Sequence, residues 1–528
     1  MEELFRFDRN IFNFYLYLCG KCEVMKKIEV FLFTFLLVFN IQAQELLSPV
    51  QPDKDSTLTY TFTVVSEKEQ ANTTLIAQEI SRRLTSKAYD ITYARSLDTT
   101  FVDAVFHLDT PGILRCGNVR MKFRDAKDAS QQAFKLLEKK FYSGKRPSYS
   151  TLFKGDDGRY VEYRIPTAVV LPTGRVITFI EARSTHRDQA ENDIIARYSD
   201  DRGKTWSPQI VVAEKGASSL NNPCVVYVPE RDEVLLMYQC FPPNVTEGSA
   251  PVGMNGNRVL KAYITKSRDG GKTWTMPVDI TAQVKHPEAN SVCSGPGVGI
   301  RVEQGPDKGR IIMPFNGNGW TRWFNYIVYS DDCGDSWKIA PGESGYGTNE
   351  SQIVQVDDTT FLFNARSHRY PEANSYKSPA GWNPWNFSQV TRNRAQTPVT
   401  MKGDHVVWGN VAVQTNQPDP TCQGSIIRME RKKPTFLLSN PASQLTVLEG
   451  RPYSQTPPMR MNGTVKVSYD SGKSWRYSKR IYGNRFTEYQ YSVLVDMGNG
   501  NVGCIFEAHP EVKFAVFNLK WLTEGADK

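Results

Sequence analysis

A turn sequence of nine residues occurs four times in this chain of 528 residues and restricts its fold more than any other feature. The copies read YSDDRGKTW from Tyr198, KSRDGGKTW from Lys266, YSDDCGDSW from Tyr329 and VSYDSGKSW from Val467. Their serines are spaced 68, 63 and 138 residues apart, so one copy is missing between the third and the fourth. A repeat of this length with strands in each unit is typical of a propeller or an array.

The sequence pattern from about residue 155 onward agrees with that interpretation. Short apolar segments such as TAVVLPTGRVITFIEAR, EVLLMYQC, GRIIMPFNG and TTFLFNAR follow one another, separated by turn residues, and long helical patterns are missing. Units of about 65 residues divide this region into roughly six. The sequence therefore predicts an all-β fold, a six-bladed β-propeller over residues 151–528.

The repeat itself has the pattern Ser-x-Asp-x-Gly-x-Thr/Ser-Trp, which suits a closed hairpin turn. The aspartate can accept bonds from nearby backbone N–H groups, the glycine supplies a positive φ, and the tryptophan buries a large ring. The spacing lacks the further acidic residues of a calcium loop. We predict a structural role, with ligand binding as the alternative, for the four aspartates Asp201, Asp269, Asp332 and Asp470.

The region before the propeller has a different character. STLTYTFTVV places Leu58, Tyr60, Phe62 and Val64 on one face of a strand, and QQAFKLLEKKFYSG reads as a short amphipathic helix. SGKRPSYS resembles a linker. We expect a separate, mostly β, sandwich-like module over residues 45–150, whose role is either glycan binding or packing against the propeller.

The first 44 residues contain a targeting pattern. MKKIEVFLFTFLLVFNIQAQ begins at Met25 with two lysines, continues with an apolar run and ends with small Ala43 before Gln44. This is the order of a secretory signal, and the run is short for a membrane helix. We predict a signal segment over 1–44, with Met25 as an alternative start, and export to the periplasm, the cell surface or the medium.

Composition excludes several kinds of site. A net charge of +8 without a basic run does not indicate nucleic-acid binding. The seven cysteines beyond the proposed cleavage point show no CxxC spacing, so no zinc site is expected, and their odd number prevents complete internal pairing. There is no metal motif, nucleotide-binding loop or lipidation signal, and we predict no cofactor and no obligate protein partner.

The nine-residue repeat resembles the Asp box of bacterial sialidases and other BNR-repeat proteins. A second motif, YRIP from Tyr163 to Pro166, resembles the (F/Y)RIP motif that precedes the first Asp box in sialidases. Over about 155–520 the chain is similar to retaining exo-α-sialidases of glycoside hydrolase family 33. This resemblance implies an enzyme that removes terminal α-linked sialic acids from glycoproteins, glycolipids and oligosaccharides, so that sialylated glycans are the expected partners.

The resemblance also implies roles for individual residues. Those that would bind the substrate are Arg164 of YRIP, Arg183 of EARSTHRDQAEND, Arg366 of NESQIVQVDDTTFLFNAR and Arg460 of RMNGTVKVSYDSGKSW. Those that would act on it are Asp188 as acid/base, Glu350 as the base that activates the nucleophile, and Tyr491 of YQYSVLVDMGNGNVGCIFE as that nucleophile. Glu507 would steady Arg164. Two positions have a plausible neighbour, because Asp193 could replace Asp188 and Tyr489 could replace Tyr491.

The chemistry accounts for these residue types. Sialic acid carries a carboxylate on its anomeric carbon, and the planar, permanently charged guanidinium matches a carboxylate in bidentate fashion. A neutral phenol avoids the repulsion that an anionic nucleophile would meet there, and sialidases are exceptions to the usual carboxylate nucleophile of glycosidases. Two alternatives remain at this point: a glycan-binding propeller without catalysis, and sialyl transfer in place of hydrolysis.

Overall fold

The computed structural model of the protein describes residues 58–94, 102–319, 322–367, 393–443, 459–485 and 487–527. All of them belong to the compact unit Lys54–Lys528. The signal segment predicted over 1–44 lies outside the described residues. Within them, no helix is long and apolar enough to cross a membrane.

The chain begins with one five-stranded sheet and two long helices. The elements are β1 (Tyr60–Val65), α1 (Gln70–Ser86), β2 (Ile91–Tyr93), β3 (Ala104–Thr110), β4 (Ile113–Cys116), β5 (Val119–Lys122) and α2 (Ala126–Tyr142). The strand order is β2-β1-β3-β4-β5, and β1 runs parallel to both of its neighbours. We call this part the N-terminal module.

The N-terminal module confirms two predictions and differs from a third. The predicted apolar face of β1 is buried, and the predicted amphipathic helix is α2, with Leu137 and Phe141 in the core. The module is not a sandwich, however, because helices rather than a second sheet cover its one sheet. The sequence interpretation missed α1, although its buried Ile76, Ile80 and Leu84 recur at helical spacing.

Six further sheets follow, as predicted, and form the blades of a propeller. Blade 1 comprises β7 (Glu162–Val170), β8 (Val176–Arg183), β9 (Asn192–Ser199) and β10 (Ile210–Ala213). Blade 2 comprises β11 (Ser219–Val228), β12 (Glu233–Phe241), β13 (Lys261–Ser267), β14 (Val278–Asp279) and, after the short helix α3 (Thr281–Val284), β16 (Gly297–Val298). Blade 3 comprises β15 (Cys293–Ser294), β17 (Ile300–Arg301), β18 (Ile311–Gly319), β19 (Arg322–Ser330) and β20 (Lys338–Ile339).

The second half of the chain completes the ring. Blade 4 comprises β21 (Thr348–Gln355), β22 (Thr360–Ser367), β23 (Asn393–Lys402), β24 (His405–Trp408) and β25 (Ala412–Pro418). Blade 5 comprises β26 (Ser425–Met429), β27 (Thr435–Pro441), β28 (Gly463–Ser468) and β29 (Tyr477–Arg480). Blade 6 comprises β30 (Gln490–Asp496), β31 (Asn501–Ala508), β32 (Glu511–Asn518) and, from the start of the chain, β6 (Ser148–Lys154). The short helix α4 (Leu519–Leu522) ends the described elements.

Blade packing explains why the strands read as continuous apolar runs. All eight residues of β8 and all nine of β12 are buried. These strands lie in the middle of a blade, and the neighbouring blades cover both faces of the sheet. A strand that is buried on both faces has no reason to alternate apolar and polar side chains.

Blade 6 closes the ring by pairing strands from the two ends of the propeller region. β6 runs antiparallel to β32, with Phe153 opposite Val512 and Ser150 opposite Phe514. The boundary predicted between residues 150 and 151 falls within this strand. The N-terminal module and blades 5 and 6 also share one apolar cluster, which includes Phe62, Phe141, Tyr489 and Trp521. The division into two domains stays a prediction.

The Asp boxes connect the third and fourth strands of blades 1, 2, 3 and 5. In each one the aspartate accepts a hydroxyl bond from the box serine at 2.7–2.9 Å. It also accepts the backbone N–H and the hydroxyl of the Thr or Ser that precedes the tryptophan. In blade 4, where the missing copy was expected, a short turn joins β23 to β24, with Lys402 opposite His405.

The box tryptophans pack on the preceding blade. Trp206 of blade 1 meets Phe514 of blade 6 edge to face at 5.2 Å, and Trp274 of blade 2 meets Phe179 of blade 1 at 5.3 Å. Gly203 in the first box has a φ of +85°, and a Cβ there would lie 2.6 Å from the Phe514 ring. The turn therefore needs glycine both for its backbone and for this close approach.

Candidate active site

Four innermost strands carry a β-bulge close to the residues predicted to act. The register shifts between Arg164 and Thr167 in β7, between Asn221 and Cys224 in β11, between Thr348 and Ser351 in β21, and between Gln490 and Ser492 in β30. A bulge inserts an extra residue, bends the strand and re-aims a side chain. These bulges bring side chains from different blades together at one end of the propeller.

Arg164 is fixed by a carboxylate from the neighbouring blade. Its Nε donates to Glu507 Oε2 at 2.8 Å, and the backbone N–H of Ile165 donates to Glu507 Oε1 at 2.6 Å. Ile165 has a φ of +58°, which is an unusual backbone for a β-branched residue and is part of the bulge in β7. Glu507 thus holds both the guanidinium and the backbone that presents it.

Tyr491, Glu350 and Arg366 form a hydrogen-bonded group. The Tyr491 hydroxyl donates to Glu350 Oε1 at 2.6 Å. Arg366 Nη1 donates to Glu350 Oε2 at 2.9 Å and to the Tyr491 hydroxyl oxygen at 3.3 Å. Burial, together with the adjacent charge of Glu350, holds the pKa of Tyr491 well above its ordinary value, so the phenol is neutral.

Three of the four arginines predicted to bind the substrate, Arg164, Arg366 and Arg460, surround Tyr491. Besides the bond from Arg366, the guanidinium carbons of Arg164 and Arg460 lie 5.6 Å and 5.4 Å from the centre of the Tyr491 ring. Arg460 Nη1 donates to Gln490 Oε1 at 3.0 Å. Guanidinium groups from blades 1, 4 and 5 therefore converge on the phenol.

Arg183 and Asp188 form a second ion-paired group. Arg183 donates to Asp188 Oδ1 at 2.7 Å, and its Nε and Nη2 both donate to Glu181 Oε2, at 3.0 Å and 2.7 Å. Glu181 is fully buried and also accepts the backbone N–H of Asn222 at 2.7 Å. Asp188 lies in the loop between β8 and β9, and its side chain is 72% exposed.

The electrostatics of Asp188 combine opposing effects. Partial desolvation by the surrounding protein raises its pKa, although the side chain is largely exposed. The guanidinium of Arg183, with smaller effects of Arg164 and Arg460, outweighs this and leaves the pKa below its ordinary value. Asp188 is therefore ionised in the free protein at neutral pH. An anion bound among the arginines would offset their charge and raise the pKa again.

The structure decides between Asp188 and Asp193, and between Tyr491 and Tyr489, which the sequence left open. Asp193 does not line the cavity that contains Asp188 but accepts the hydroxyl of Tyr160 at 2.7 Å. Tyr489 is fully buried, and its hydroxyl contacts Ser439 Oγ at 2.7 Å. Neither residue contributes to the group around Tyr491.

The side chains of this group line a cavity of about 310 Å³. The predicted residues that line it are Arg164, Arg183, Asp188, Glu350, Arg366, Arg460 and Tyr491, whereas Glu507 lies beneath Arg164. The sequence interpretation missed the other lining side chains, which include Asn221, Asn222, Gln239, Glu247, Cys293, Asn316 and Trp323. Most come from blades 2 and 3, where no motif had drawn attention.

Glu181 does not line the cavity, and the sequence analysis missed it although the sequence pattern around it was informative. Glu181 stands two positions before Arg183 on β8, so both side chains point to the same face of the strand. An acidic and a basic residue at that spacing in an apolar strand indicate a buried pair.

Glu247 had no comparable signal, because it lies in a short 3-10 turn at Glu247–Ser249. Burial, followed by the charge of Glu350, raises the pKa of Glu247 to about 7.

The arrangement has three chemical capabilities. The converging guanidiniums can bind one small carboxylate. The phenol at 2.6 Å from a carboxylate can attack an electrophilic carbon while it passes its proton to Glu350. Asp188, at the open edge, can exchange protons with a leaving group or with water.

Comparison with known proteins supports the same interpretation. The family described as BNR repeat-like domain matches residues 174–504. A sialidase of Micromonospora viridifaciens is 29% identical over 399 residues, which cover 72% of this chain and 55% of that protein. The chain thus spans about half the length of this relative.

Solved structures share the fold at low identity. The Hadza microbial sialidase Hz136 aligns with a TM-score of 0.56 at 23% identity, covering 69% of this chain and 67% of that one. An intramolecular trans-sialidase from Ruminococcus gnavus aligns with a TM-score of 0.58 at 18% identity, covering 71% and 98%. These comparisons confirm the resemblance to sialidases that the Asp boxes and YRIP predicted.

Proposed function

Because this chain belongs to the BNR repeat-like family, and its cavity joins a phenol–carboxylate pair to three arginines, we propose that it is a glycoside hydrolase, an exo-α-sialidase. Its substrates are terminal α-linked sialic acids of glycoproteins, glycolipids and oligosaccharides. The observation that carries this proposal is the 2.6 Å bond from Tyr491 to Glu350 with Arg366 3.3 Å from the same phenol oxygen.

The arginines give the cavity its preference for a sugar acid. Arg164, Arg366 and Arg460 bind the carboxylate on the anomeric carbon and so place that carbon beside Tyr491. Arginine provides two parallel donors to a carboxylate and stays charged at any working pH. A neutral sugar of the same size lacks the carboxylate that these guanidinium groups can bind, which disfavours its binding.

Tyr491 acts as the nucleophile and Glu350 as its base. The phenol is neutral in the free protein, so it does not repel the substrate carboxylate. As the phenolic oxygen bonds to the anomeric carbon, its proton moves to Glu350, and the bond to the leaving oxygen breaks. Water then attacks the anomeric carbon of the sialyl-tyrosine, the bond to the phenolic oxygen breaks, and Glu350 returns the proton to Tyr491. Two displacements retain the anomeric configuration.

Asp188 supplies the proton to the leaving oxygen and then activates the water. It must be protonated when the substrate is bound, although its pKa is low in the free protein. The substrate carboxylate offsets the charges of Arg164 and Arg460, and this raises the pKa of Asp188 at the moment when a proton is needed. Arg183 and Glu507 hold Asp188 and Arg164 in place.

The test measures release of 4-methylumbelliferone from its α-sialoside. Tyr491→Phe should lower kcat by about 10³-fold or more, since the nucleophile is lost. Tyr489→Phe is the matched control, because this neighbouring tyrosine lies outside the cavity, and its kcat should stay within about threefold of the wild type. Equal loss in both variants would show that the effect is structural and would count against Tyr491 as the nucleophile.

A glycan-binding propeller without catalysis is the second candidate. Binding of sialic acid is measured in parallel for the wild type and Tyr491→Phe. Catalysis predicts that the variant binds sialic acid but releases no fluorophore. A wild type that binds sialic acid yet releases nothing would favour the binding function.

Sialyl transfer is the third candidate, because the Ruminococcus gnavus protein that shares the fold is an intramolecular trans-sialidase. NMR of the first product separates the outcomes. Hydrolysis with retention gives free sialic acid as the α-anomer before mutarotation. Formation of an anhydro sugar, or of a new sialoside in the presence of an acceptor, would show that the protein transfers sialic acid instead of hydrolysing its linkage.

A further inference from the structure

Glu162 is a buried carboxylate beside the candidate active site that the proposed mechanism does not use. It is the first residue of β7, two positions before Arg164, and its Cα pairs with that of Arg183 across β7 and β8. Its side chain is 10% exposed, and it does not line the cavity around Tyr491. Glu162 therefore reaches the site only through its neighbours.

Both oxygens of Glu162 face arginines of the site. Oε1 lies 3.8 Å from Arg164 Nη1, and Oε2 lies 4.0 Å from Arg183 Nη1. These are ion pairs without direct hydrogen bonds, because a charged N–H···O bond is about 2.7–2.9 Å long. Arg164 donates its direct bond to Glu507, and Arg183 donates two to Glu181. Glu162 is thus a further negative charge that both guanidinium groups share.

One nitrogen of Arg183 serves both Glu162 and Asp188. Arg183 Nη1 donates to Asp188 Oδ1 at 2.7 Å, and the same nitrogen faces Glu162. Two carboxylates that share one cation compete for it, and each disfavours the charged form of the other. Arg183 and Glu162 are buried and little screened by solvent, whereas Asp188 is largely exposed. Glu162 should therefore weaken, by a modest amount, the preference of Arg183 for ionised Asp188.

Two histidines and one further acid complete the surroundings of Glu162. His186 Nδ1, in the loop that carries Asp188, lies 3.8 Å from Glu162 Oε2. His509 Nδ1, in the turn between β31 and β32, lies 3.7 Å from Oε1, and Glu511 lines a small recess with both residues. Imidazoles gain charge as the pH falls from about 8 to 5. A pH dependence caused by Glu162 must therefore be measured with and without the histidines.

We propose that Glu162 is a positioning residue for the proposed reaction: it shares Arg183 with Asp188 and so keeps this acid able to take up the proton that the leaving oxygen needs. The inference rests on the proposed function, in which Asp188 is the acid/base. Without the charge of Glu162, Arg183 would favour ionised Asp188 more strongly and lower its pKa further. The protein would still bind sialosides but would protonate the leaving group less readily.

The test compares Glu162→Gln with the wild type over about pH 5 to 9, because this variant keeps the shape of the side chain and removes its charge. For sialyl-lactose, whose alkoxide must be protonated, the basic limb of the kcat/KM profile should move about half a pH unit lower, which lowers kcat/KM about threefold at neutral pH. At acidic pH, where Asp188 is protonated in both proteins, the values should agree. An aryl sialoside, whose phenolate leaves unaided, should lose less than about twofold.

The kinetic constants separate this role from damage to the binding site. Glu162→Gln adds one net positive charge beside Arg164, so KM for the anionic substrate should stay the same or fall, and the loss should appear in kcat. Glu162→Asp, which keeps the charge, should restore most of the profile. Glu233→Gln is the matched control, because Glu233 is also buried at the start of a strand, pairs with Arg268 at 2.8 Å and lies outside the cavity. Its kcat/KM should stay within about twofold of the wild type at every pH.

Two further measurements isolate Asp188. In a protein that carries both His186→Gln and His509→Gln, adding Glu162→Gln should still move the basic limb. NMR titration of the Asp188 carboxyl carbon needs no reaction, and its midpoint should be lower in Glu162→Gln than in the wild type and unchanged in Glu233→Gln.

Three results would overturn the proposal. The loss in Glu162→Gln is the same at every pH and for both substrates, or the basic limb keeps its wild-type position, or the shift disappears without the histidines. A wild type that hydrolyses no sialoside would overturn the proposed function instead. The NMR midpoint of Asp188 would then decide alone whether the two carboxylates share Arg183, and an unchanged midpoint in Glu162→Gln would show that they do not.

Discussion

At the scale of single residues, the site depends on charges that are buried and matched. Glu350 accepts from both Arg366 and Tyr491, and Glu507 accepts from both Arg164 and the backbone of Ile165. Each carboxylate thus orients a guanidinium and one further group. Removing one partner of such a buried pair leaves the other uncompensated, so single substitutions should have large effects.

The pair of Tyr491 and Glu350 should behave as one unit. Tyr491→Phe and Glu350→Gln should each lower kcat by about 10³-fold, because a phenol without its base is a weak nucleophile. The double variant should lose little more than either single one, since the second change removes an interaction that is already absent. A loss equal to the product of the two, near 10⁶-fold, would mean that the residues act separately.

The role of Asp188 can be tested with leaving groups. Asp188→Ala should lower kcat/KM for a sialyl-lactose by about 10³-fold, because the departing alkoxide needs a proton. For an aryl sialoside, whose phenolate leaves unaided, the decrease should stay below about tenfold. Asp193→Ala is the control, and it should treat both substrates alike. Equal losses for both substrates in Asp188→Ala would exclude the acid role.

At the scale of elements, β-bulges and hairpin turns have different roles, one in the site and the other in stability. Bulges on innermost strands aim side chains into the cavity, whereas Asp boxes lie between the third and fourth strands of their blades. The carboxylate of each box is used within its own turn, as Asp269 shows with Ser267 and Thr273. These bonds hold the pKa of Asp269 near 2, although burial opposes them.

Removing a box carboxylate should therefore reduce stability and spare activity. Asp269→Ala leaves two N–H groups and two hydroxyls of the turn without their acceptor. By analogy with loss of a helix cap, the free energy of unfolding should fall by about 1 kcal/mol. Calorimetry should show a lower Tm, while kcat/KM at 25 °C stays within about twofold. Lost activity with an unchanged Tm would instead indicate a ligand role for the box.

At the scale of the whole molecule, the N-terminal module and the propeller share buried contacts. Lys479 of blade 5 donates through Nζ to the backbone carbonyls of Lys140 in α2 and Trp521 in α4. Arg480 pairs with Asp103 of the module at 2.9 Å. Burial lowers the pKa of Lys479 from 10.5 to about 7, so this contact depends on pH.

Stability should therefore rise with pH where Lys479 titrates. Between pH 7 and 10.5 the unfolded chain binds more protons at this group than the folded protein, so the free energy of unfolding increases with pH. Below pH 7 the folded protein bears the full cost of a buried cation. Relative to Lys479→Met, the wild type should gain about 3 °C in Tm from pH 7 to 10.

The control for this prediction is exposed Lys204→Met, whose difference in Tm from the wild type should not change with pH. A constant difference for Lys479→Met as well would show that the buried amine keeps its ordinary pKa. The two lost hydrogen bonds shift Tm by a constant amount, so only the slope with pH tests the prediction.

The sequence by itself predicted the blade number, the place of the missing Asp box and, through the resemblance to sialidases, seven of the residues that line the cavity. These features leave local signals, because a turn needs its own Asp and Gly, and YRIP has a fixed position before the first box. The buried pairing of Glu181 with Arg183 could also have been deduced from strand periodicity, although it was missed.

Only the tertiary structure decided the remainder. It excluded Asp193 and Tyr489 from the cavity, placed Glu247, Gln239 and Trp323 in it, and brought β6 to the outer edge of blade 6. It also showed helices where a second sheet was expected. The physical reason is that local sequence sets turns and strand faces, whereas distances between remote segments follow from how the blades pack and close.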